Sequence, residues 1–72
     1  MKLKVTGFPW ITNKEEIKRV FSEKGTVNDI QKEEGQNTAY VVMPYDQQGI
    51  EAMHSLDGTR ISGRIIKVEE CG

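Results

Sequence analysis

The stretch GFPWITNKEEIKRVFSEKGTV, residues 7–27, joins a rigid aromatic turn to a well-marked helix. Asn13, followed by Glu16 three residues later, is a helix start of the capping-box type. Gly25 is predicted to end the helix as its C′ residue. The apolar residues that fall on one face at helical spacing are Ile17, Val20 and Phe21. The stretch therefore predicts an amphipathic helix that is entered through a Gly-Phe-Pro loop.

A half-buried strand is predicted directly before this stretch. Residues 2–6 alternate between polar and apolar side chains, which is the period of a strand with one face in the core. Leu3 and Val5 are expected to face the core, and Phe8 is expected to pack under the sheet. Trp10 is expected to anchor the loop that leads to the helix, with direct contact to a base as the alternative. The side chains predicted on the outward face are Lys2, Lys4 and Thr6.

Two further strands are predicted after the helix, over residues 27–33 and 37–43. They flank EEGQ, residues 33–36, which indicates a tight hairpin that uses Gly35. Pro44 is expected to end the second of these strands, because proline cannot donate a hydrogen bond to a neighbouring strand.

A second helix is predicted with Asp46 as its N-cap. It runs through Leu56 and is expected to end at Asp57 and Gly58. Gly49 lies inside this helix, where glycine costs about 1 kcal/mol relative to alanine. The second helix is therefore the less strongly encoded of the two.

Residues 63–69 are predicted to form the last strand, with Ile66 and Val68 facing inward. The element order is then βαββαβ. Two right-handed crossovers would place both helices on one face of the sheet. We therefore predict an α+β, ferredoxin-like βαββαβ sandwich. Its four-stranded antiparallel sheet has the order 4-1-3-2, and the other face of the sheet is open to solvent.

Composition limits what such a chain does. Its 72 residues, with ten basic and eleven acidic side chains and a formal charge of −1, predict a single domain over residues 1–72. This balance argues against a strong, nonspecific binder of polyanions. One cysteine, Cys71, and one histidine predict no metal site, and the lone cysteine suggests a reduced, intracellular setting, nuclear or cytoplasmic. No apolar run has the length of a membrane span, so no membrane partner is predicted.

The opening stretch and LDGTRISGRIIKVEE, residues 56–70, resemble the first-helix region and the C-terminal strand of an RNA recognition motif. The resemblance covers about residues 3–70. The family's first-strand hexamer reads LKVTGF here, residues 3–8, and its third-strand octamer reads QNTAYVVM, residues 36–43. The resemblance implies that single-stranded RNA lies across the open sheet with its bases stacked on aromatic side chains. It also implies recognition without chemistry, hence no enzyme, no cofactor and no small-molecule substrate.

The family pattern places aromatic side chains at three positions, which are Lys4, Thr38 and Tyr40 in this sequence. Only Tyr40 is aromatic, so both motifs are degenerate and binding of modest affinity is expected. Tyr40 would stack one base, while Lys2, Lys4 and Lys67 would hold phosphates. The predicted RNA-binding residues are Lys2, Lys4, Thr6, Thr38, Tyr40, Val42 and Lys67.

Charge is predicted to change across the outward face. The first and fourth strands carry the three lysines, and the fourth strand also presents Ile65 and Glu69. The second strand presents Asp29, Gln31 and Glu33 at the opposite edge. An acidic edge repels phosphate, which predicts a short RNA footprint.

A protein-interaction module of the same fold is the alternative function. Ile50 lies where the family usually has a polar helix residue, and Val42 with Ile65 would give the sheet face some apolar surface. A protein partner that binds one of these surfaces therefore stays open beside RNA.

Overall fold

The computed structural model describes residues 1–33 and 35–71, in which two helices cover one face of a four-stranded sheet. The elements are β1 Lys2–Thr6, α1 Lys14–Ser22, β2 Asp29–Lys32, β3 Thr38–Val42, α2 Asp46–Leu56, β4 Arg60–Ile61, β5 Arg64–Ile65 and β6 Lys67–Glu70. The sheet order is β2-β3-β1-β6 with antiparallel neighbours throughout. This is the predicted order 4-1-3-2 with β6 as the fourth strand, so the predicted α+β, ferredoxin-like fold is confirmed. Within the described residues, neither helix is long and apolar enough to cross a membrane.

The hydrophobic core lies between the inner face of the sheet and the two helices. Leu3 and Val5 of β1 are fully buried, as predicted, and they belong to one cluster with Ile17 and Phe21 of α1. Phe8, just beyond β1, is also fully buried, as predicted. Burying a side chain of this kind contributes roughly 1.5–3 kcal/mol relative to leaving it exposed. The alternation in β1 therefore fixes which face of the sheet remains free.

The start of α1 is fixed by Asn13, as predicted. Its side-chain oxygen accepts a hydrogen bond from the backbone N–H of Glu16 at 2.9 Å. Such a bond satisfies one of the amide groups that the first turn of a helix leaves without a partner.

Replacing Asn13 by alanine is expected to lower the free energy of unfolding by about 1 kcal/mol, because that amide loses its partner. Urea denaturation followed by circular dichroism measures the change. Asn28→Ala is the control, because Asn28 is exposed and lies between elements. It is expected to change stability by less than about 0.5 kcal/mol. Equal losses in the two variants would contradict the capping role.

The predicted C′ role of Gly25 is wrong. Helix α1 ends at Ser22, and Gly25 does not have a positive φ. Gly25 instead lies against the side chain of Gln48, and a Cβ at this position would come within 2.5 Å of Gln48 Oε1. That oxygen accepts a hydrogen bond from the backbone N–H of Thr26 at 2.7 Å. A contact with the other helix, rather than helix termination, explains the glycine.

The predicted N-cap role of Asp46 is also wrong. Tyr45 occupies the N-cap position without a side-chain hydrogen bond, and Asp46 is the first helical residue. The carboxylate of Asp46 lies 3.5 Å from the amino nitrogen of Met1. Gly49 is buried inside α2, where a Cβ would collide with the sulfur of Met1. The helix ends at Leu56, as predicted.

The single last strand predicted over residues 63–69 is wrong. The chain instead forms the small β4–β5 hairpin and then β6. Ile66 separates the β4–β5 hairpin from β6. Its N–H donates a hydrogen bond to the carbonyl of Thr59 at 2.8 Å, and its carbonyl accepts one from the N–H of Gly58 at 2.9 Å. The turn after α2 thus takes the backbone groups that a continuous strand would use. Ile66 and Val68 are nevertheless buried, as predicted.

Strands β2 and β3 are shorter than predicted at both ends, since the predicted ranges were 27–33 and 37–43. The two strands do form an antiparallel pair. The predicted EEGQ turn includes Glu34, which lies outside the described residues. Gly35 has a φ of +80°, a value that favours glycine.

The loop between β1 and α1 is held by residues other than Trp10. The Oγ1 of Thr12, a buried residue, donates a hydrogen bond to Ser62 Oγ at 3.1 Å. The side chain of Asn37 donates to the carbonyl of Phe8 at 3.0 Å. Trp10 is 63% exposed, so its predicted role as the loop anchor is wrong.

Candidate nucleic-acid interface

The outward face of the sheet brings all seven predicted RNA-binding residues together. Strand β1 lies between β3 and β6, and its inward residues are fully buried, so alternate residues face outward. The cross-strand pairs on this face are Lys2 with Val42, Lys4 with Tyr40, Thr6 with Thr38 and Thr6 with Lys67. The predicted positions therefore form one continuous surface, and their role in binding stays a prediction.

Tyr40 lies on the outward face of β3, and Lys2 covers its ring. The Lys2 ammonium nitrogen is 5.0 Å from the ring centroid, which is the geometry of a cation–π contact worth about 0.5–1 kcal/mol at an exposed site. Lys2 faces Val42 across the strands, so its side chain reaches diagonally to Tyr40. One face of the aromatic platform is therefore occupied by a cation in the free protein.

Lys4 lies between an aromatic and an acidic neighbour. Its cross-strand partners are Tyr40 on β3 and Glu69 on β6. Within the described part of the chain, Lys4 and Glu69 do not form an ion pair, so the Lys4 ammonium group is not tied to a carboxylate. Glu69 interrupts the basic half of the face, and Asp29 lies at the other edge on β2. The positive charge is therefore local, which agrees with the balanced composition.

The apolar surface predicted from Val42 and Ile65 is not continuous. Ile65 belongs to β5 and pairs with Arg60, outside the four-stranded sheet. Val42 lies at the Lys2 end of the sheet. Ile65 lies at the other end, because its carbonyl oxygen would be 2.6 Å from a Cβ placed on Gly7. The prediction that Ile65 extends the outward face of the fourth strand is therefore wrong.

A surface hollow continues the open face over the edge strand β2. It is lined by residues of the sheet face and by residues near α1, among them Lys4, Tyr40, Thr38, Gln31, Lys32 and Lys14. Lys32 reaches from this edge to the loop after β1, where its ammonium group lies 3.4 Å from the carbonyl oxygen of Trp10. The same nitrogen is 5.8 Å from the centroid of the Phe8 ring.

Sequence reasoning missed Lys14 and Lys32 as members of this surface. Strand parity assigns Lys32 to the helix side of the sheet, because its neighbour Gln31 points outward. Lys32 ends an edge strand, so its long side chain bends around the edge to the loop. No periodic signal shows this, but a lysine at the end of an edge strand is a residue type that reaches this far.

Comparison with solved structures finds many close folds. The RRM domain of S. pombe Puf1 has a TM-score of 0.90 and 24% identity, with 100% of this chain and 97% of that chain covered. The C. elegans NONO-1 homodimer also has a TM-score of 0.90 and 24% identity, with 99% of this chain and 28% of that chain covered. The Pes4 RRM3 structure has a TM-score of 0.89 and 19% identity, with 99% of this chain and 90% of that chain covered.

Sequence comparison identifies the family. Among curated proteins, none matches this chain significantly. The family model described as "RNA recognition motif" matches residues 3–67. Because this match spans most of the chain, the protein belongs to the RNA recognition motif family of RNA-binding domains.

Proposed function

We propose that this domain binds short single-stranded RNA across the open face of its sheet, with modest affinity. The observation that carries the proposal is Tyr40, an aromatic side chain on the outward face with Lys2 over its ring and Lys4 directly opposite. A ring can stack on any base, and ammonium groups beside it can meet the phosphates that flank that base.

The modest affinity follows from two features of this face. Only one aromatic ring is present among the seven predicted contacts, so one base is stacked there. Lys2 already contacts that ring, so an incoming base exchanges with a cation–π contact and gains less than it would on a free ring. Once displaced, the Lys2 ammonium group is free to meet a phosphate.

Tyr40→Ala is expected to weaken RNA binding by about 1–3 kcal/mol, because one stacking platform is lost. The slope of log affinity against log salt concentration should stay the same, since no phosphate contact is removed. Lys4→Ala is expected to reduce that slope by roughly 0.7, the value for one neutralised phosphate of a single strand. Fluorescence anisotropy of a labelled pool of random RNAs of about eight nucleotides, a length within the usual range for such grooves, measures both quantities.

Matched controls are Tyr45→Ala and Lys24→Ala. Tyr45 is 60% exposed at the start of α2, and Lys24 is exposed just after α1. Both lie away from the open face, so neither change should alter affinity or salt slope. Binding that Tyr40→Ala and Lys4→Ala leave unchanged would contradict the proposal.

A partner protein is the competing outcome, and α2 is where it would be detected. Ile50 is 38% exposed on that helix. Backbone amide shifts on addition of RNA should map to Lys4, Thr38, Tyr40 and Lys67. Shifts confined to α2, or no shifts with any RNA, would favour the protein-interaction alternative.

A further inference from the structure

Trp10 is presented to solvent by a loop that does not depend on its side chain. The ring is 63% exposed and its neighbour Ile11 is 67% exposed. The loop is fixed instead by buried Phe8 and Thr12 and by their hydrogen bonds to Asn37 and Ser62. A large aromatic ring held in solvent by a fixed loop has little packing role in its own fold, and it needs no rearrangement to meet a ligand.

Several basic side chains lie at the end of the sheet that is next to the Trp10 loop. Antiparallel register places the end of β1, the start of β3, the end of β2 and the start of β6 together there. The cations at this end are Lys32, Arg60, Arg64 and Lys67. Acidic side chains also lie near it, among them Glu33, Glu16, whose carboxylate accepts a hydrogen bond from Ser62, and Asp57, whose carboxylate accepts one from the backbone N–H of Val68. The opposite end carries Asp29, Asp46 and Glu70 together with Lys2 and the amino group of Met1.

A path connects Trp10 with the sheet face. The hollow that starts at Lys4 and Tyr40 passes Thr38 and reaches Lys32 at the edge of β2, and the acidic side chains Asp29 and Glu33 also line it. Lys14 and Lys32 supply positive charge along the same edge. Lys32 in turn contacts the backbone carbonyl of Trp10. The hollow therefore leads from Tyr40 past Lys32 to the loop that carries the exposed side chain of Trp10.

We propose that Trp10 is a second stacking platform for the same single-stranded RNA, with Lys32 meeting a phosphate between the two rings. This inference rests on the proposed function and extends its footprint from the sheet face to the loop after β1. Single-stranded nucleic acid is the occupant that these observations favour, because an aromatic ring beside clustered cations matches a base beside its phosphates.

The test uses the emission of Trp10, the only tryptophan in the chain. Adding the random RNA pool of about eight nucleotides should quench this emission, with the midpoint that anisotropy gives for binding. Trp10→Ala should weaken binding roughly 5- to 150-fold, the range for one lost platform. Its melting temperature should stay close to that of the wild type, because the ring is exposed. Tyr45→Ala, which removes an equally exposed ring at the opposite end, should leave affinity unchanged.

The outcomes separate this inference from the proposed function. If Tyr40→Ala weakens binding while Trp10→Ala does not and the emission stays constant, Trp10 lies outside the footprint and only the sheet binds. If no RNA in the pool binds the wild type, the proposed function and this inference both fail, and the exposed loop is left as a candidate surface for a protein. Quenching that persists in Tyr40→Ala at higher RNA concentration would support a separate platform at Trp10.

Discussion

Replacing Phe21 by alanine is expected to lower the free energy of unfolding by about 3–5 kcal/mol. Phe21 is fully buried on α1 within the single core cluster. Its removal loses apolar burial and leaves a cavity that the surrounding side chains fill only in part. A domain of this length has a total stability of roughly 4–11 kcal/mol, so the loss is a large part of the total and should move the urea midpoint far below that of the wild type.

Urea denaturation followed by circular dichroism measures this loss. Val20→Ala on the same helix is the control, because Val20 is only half-buried at the edge of the core. It should lose much less, about 1 kcal/mol. Phe21→Leu should recover most of the stability, since it refills most of the volume. A similar loss from Val20→Ala and Phe21→Ala would show that the core is not centred where the structure places it.

Gly7→Ala is expected to lower stability by at least about 2 kcal/mol, for two reasons that act together. Gly7 has a φ of +97°, where a Cβ is strained. A Cβ there would also lie 2.6 Å from the carbonyl oxygen of Ile65, a backbone atom that cannot rotate away. The small β4–β5 hairpin would have to move away from the end of β1. Thermal and urea denaturation measure the loss.

Gly58→Ala separates the two reasons. Gly58 has a φ of +83°, but no atom lies within 4 Å of the position where its Cβ would be. It should therefore show the backbone strain alone, about 1 kcal/mol. The difference between the two variants measures the close approach of the hairpin to β1. Equal losses of stability in Gly7→Ala and Gly58→Ala would mean that the β4–β5 hairpin moves away from the new Cβ without an energetic cost.

Much of the fold could be predicted because local signals and burial agree. The alternation in residues 2–6 and the helical spacing of Ile17 and Phe21 each assign a side chain to the core, and all of these residues are fully buried. The Asn13 cap is also local, since its partner is three residues away. Signals within a few residues of each other determine such features.

The errors lie where a distant residue decides the local structure. Gly25 is a residue type that commonly follows the end of a helix, but here it contacts Gln48 on the other helix. Residues 63–69 have the composition of one strand, but the turn at Gly58 and Thr59 takes the backbone groups of Ile66. Neither partner is visible in a short window of sequence, because only tertiary structure brings it close.

The candidate site shows the same division. Strand parity placed Lys4 and Tyr40 on one face, and the register confirms that they are neighbours. Strand parity does not apply to Trp10, because Trp10 lies in a loop. Its exposure depends on how Thr12 and Asn37 fix that loop. The reach of Lys32 around the sheet edge is likewise a property of the folded molecule.

The position of β1 between β3 and β6 has a consequence for how the chain folds during its synthesis. Val5, at the centre of the sheet, pairs with Val68, so the first and last strands of the domain are neighbours. A ribosome adds about 5–20 residues per second, so β1 waits on the order of 3–12 s for this partner. Throughout that interval one edge of β1 has no strand to bond with, while β3, which is synthesised about halfway through it, can pair with the other edge. Nascent chains of this domain should therefore expose an unpaired edge to neighbouring nascent chains or to chaperones until β6 leaves the exit tunnel.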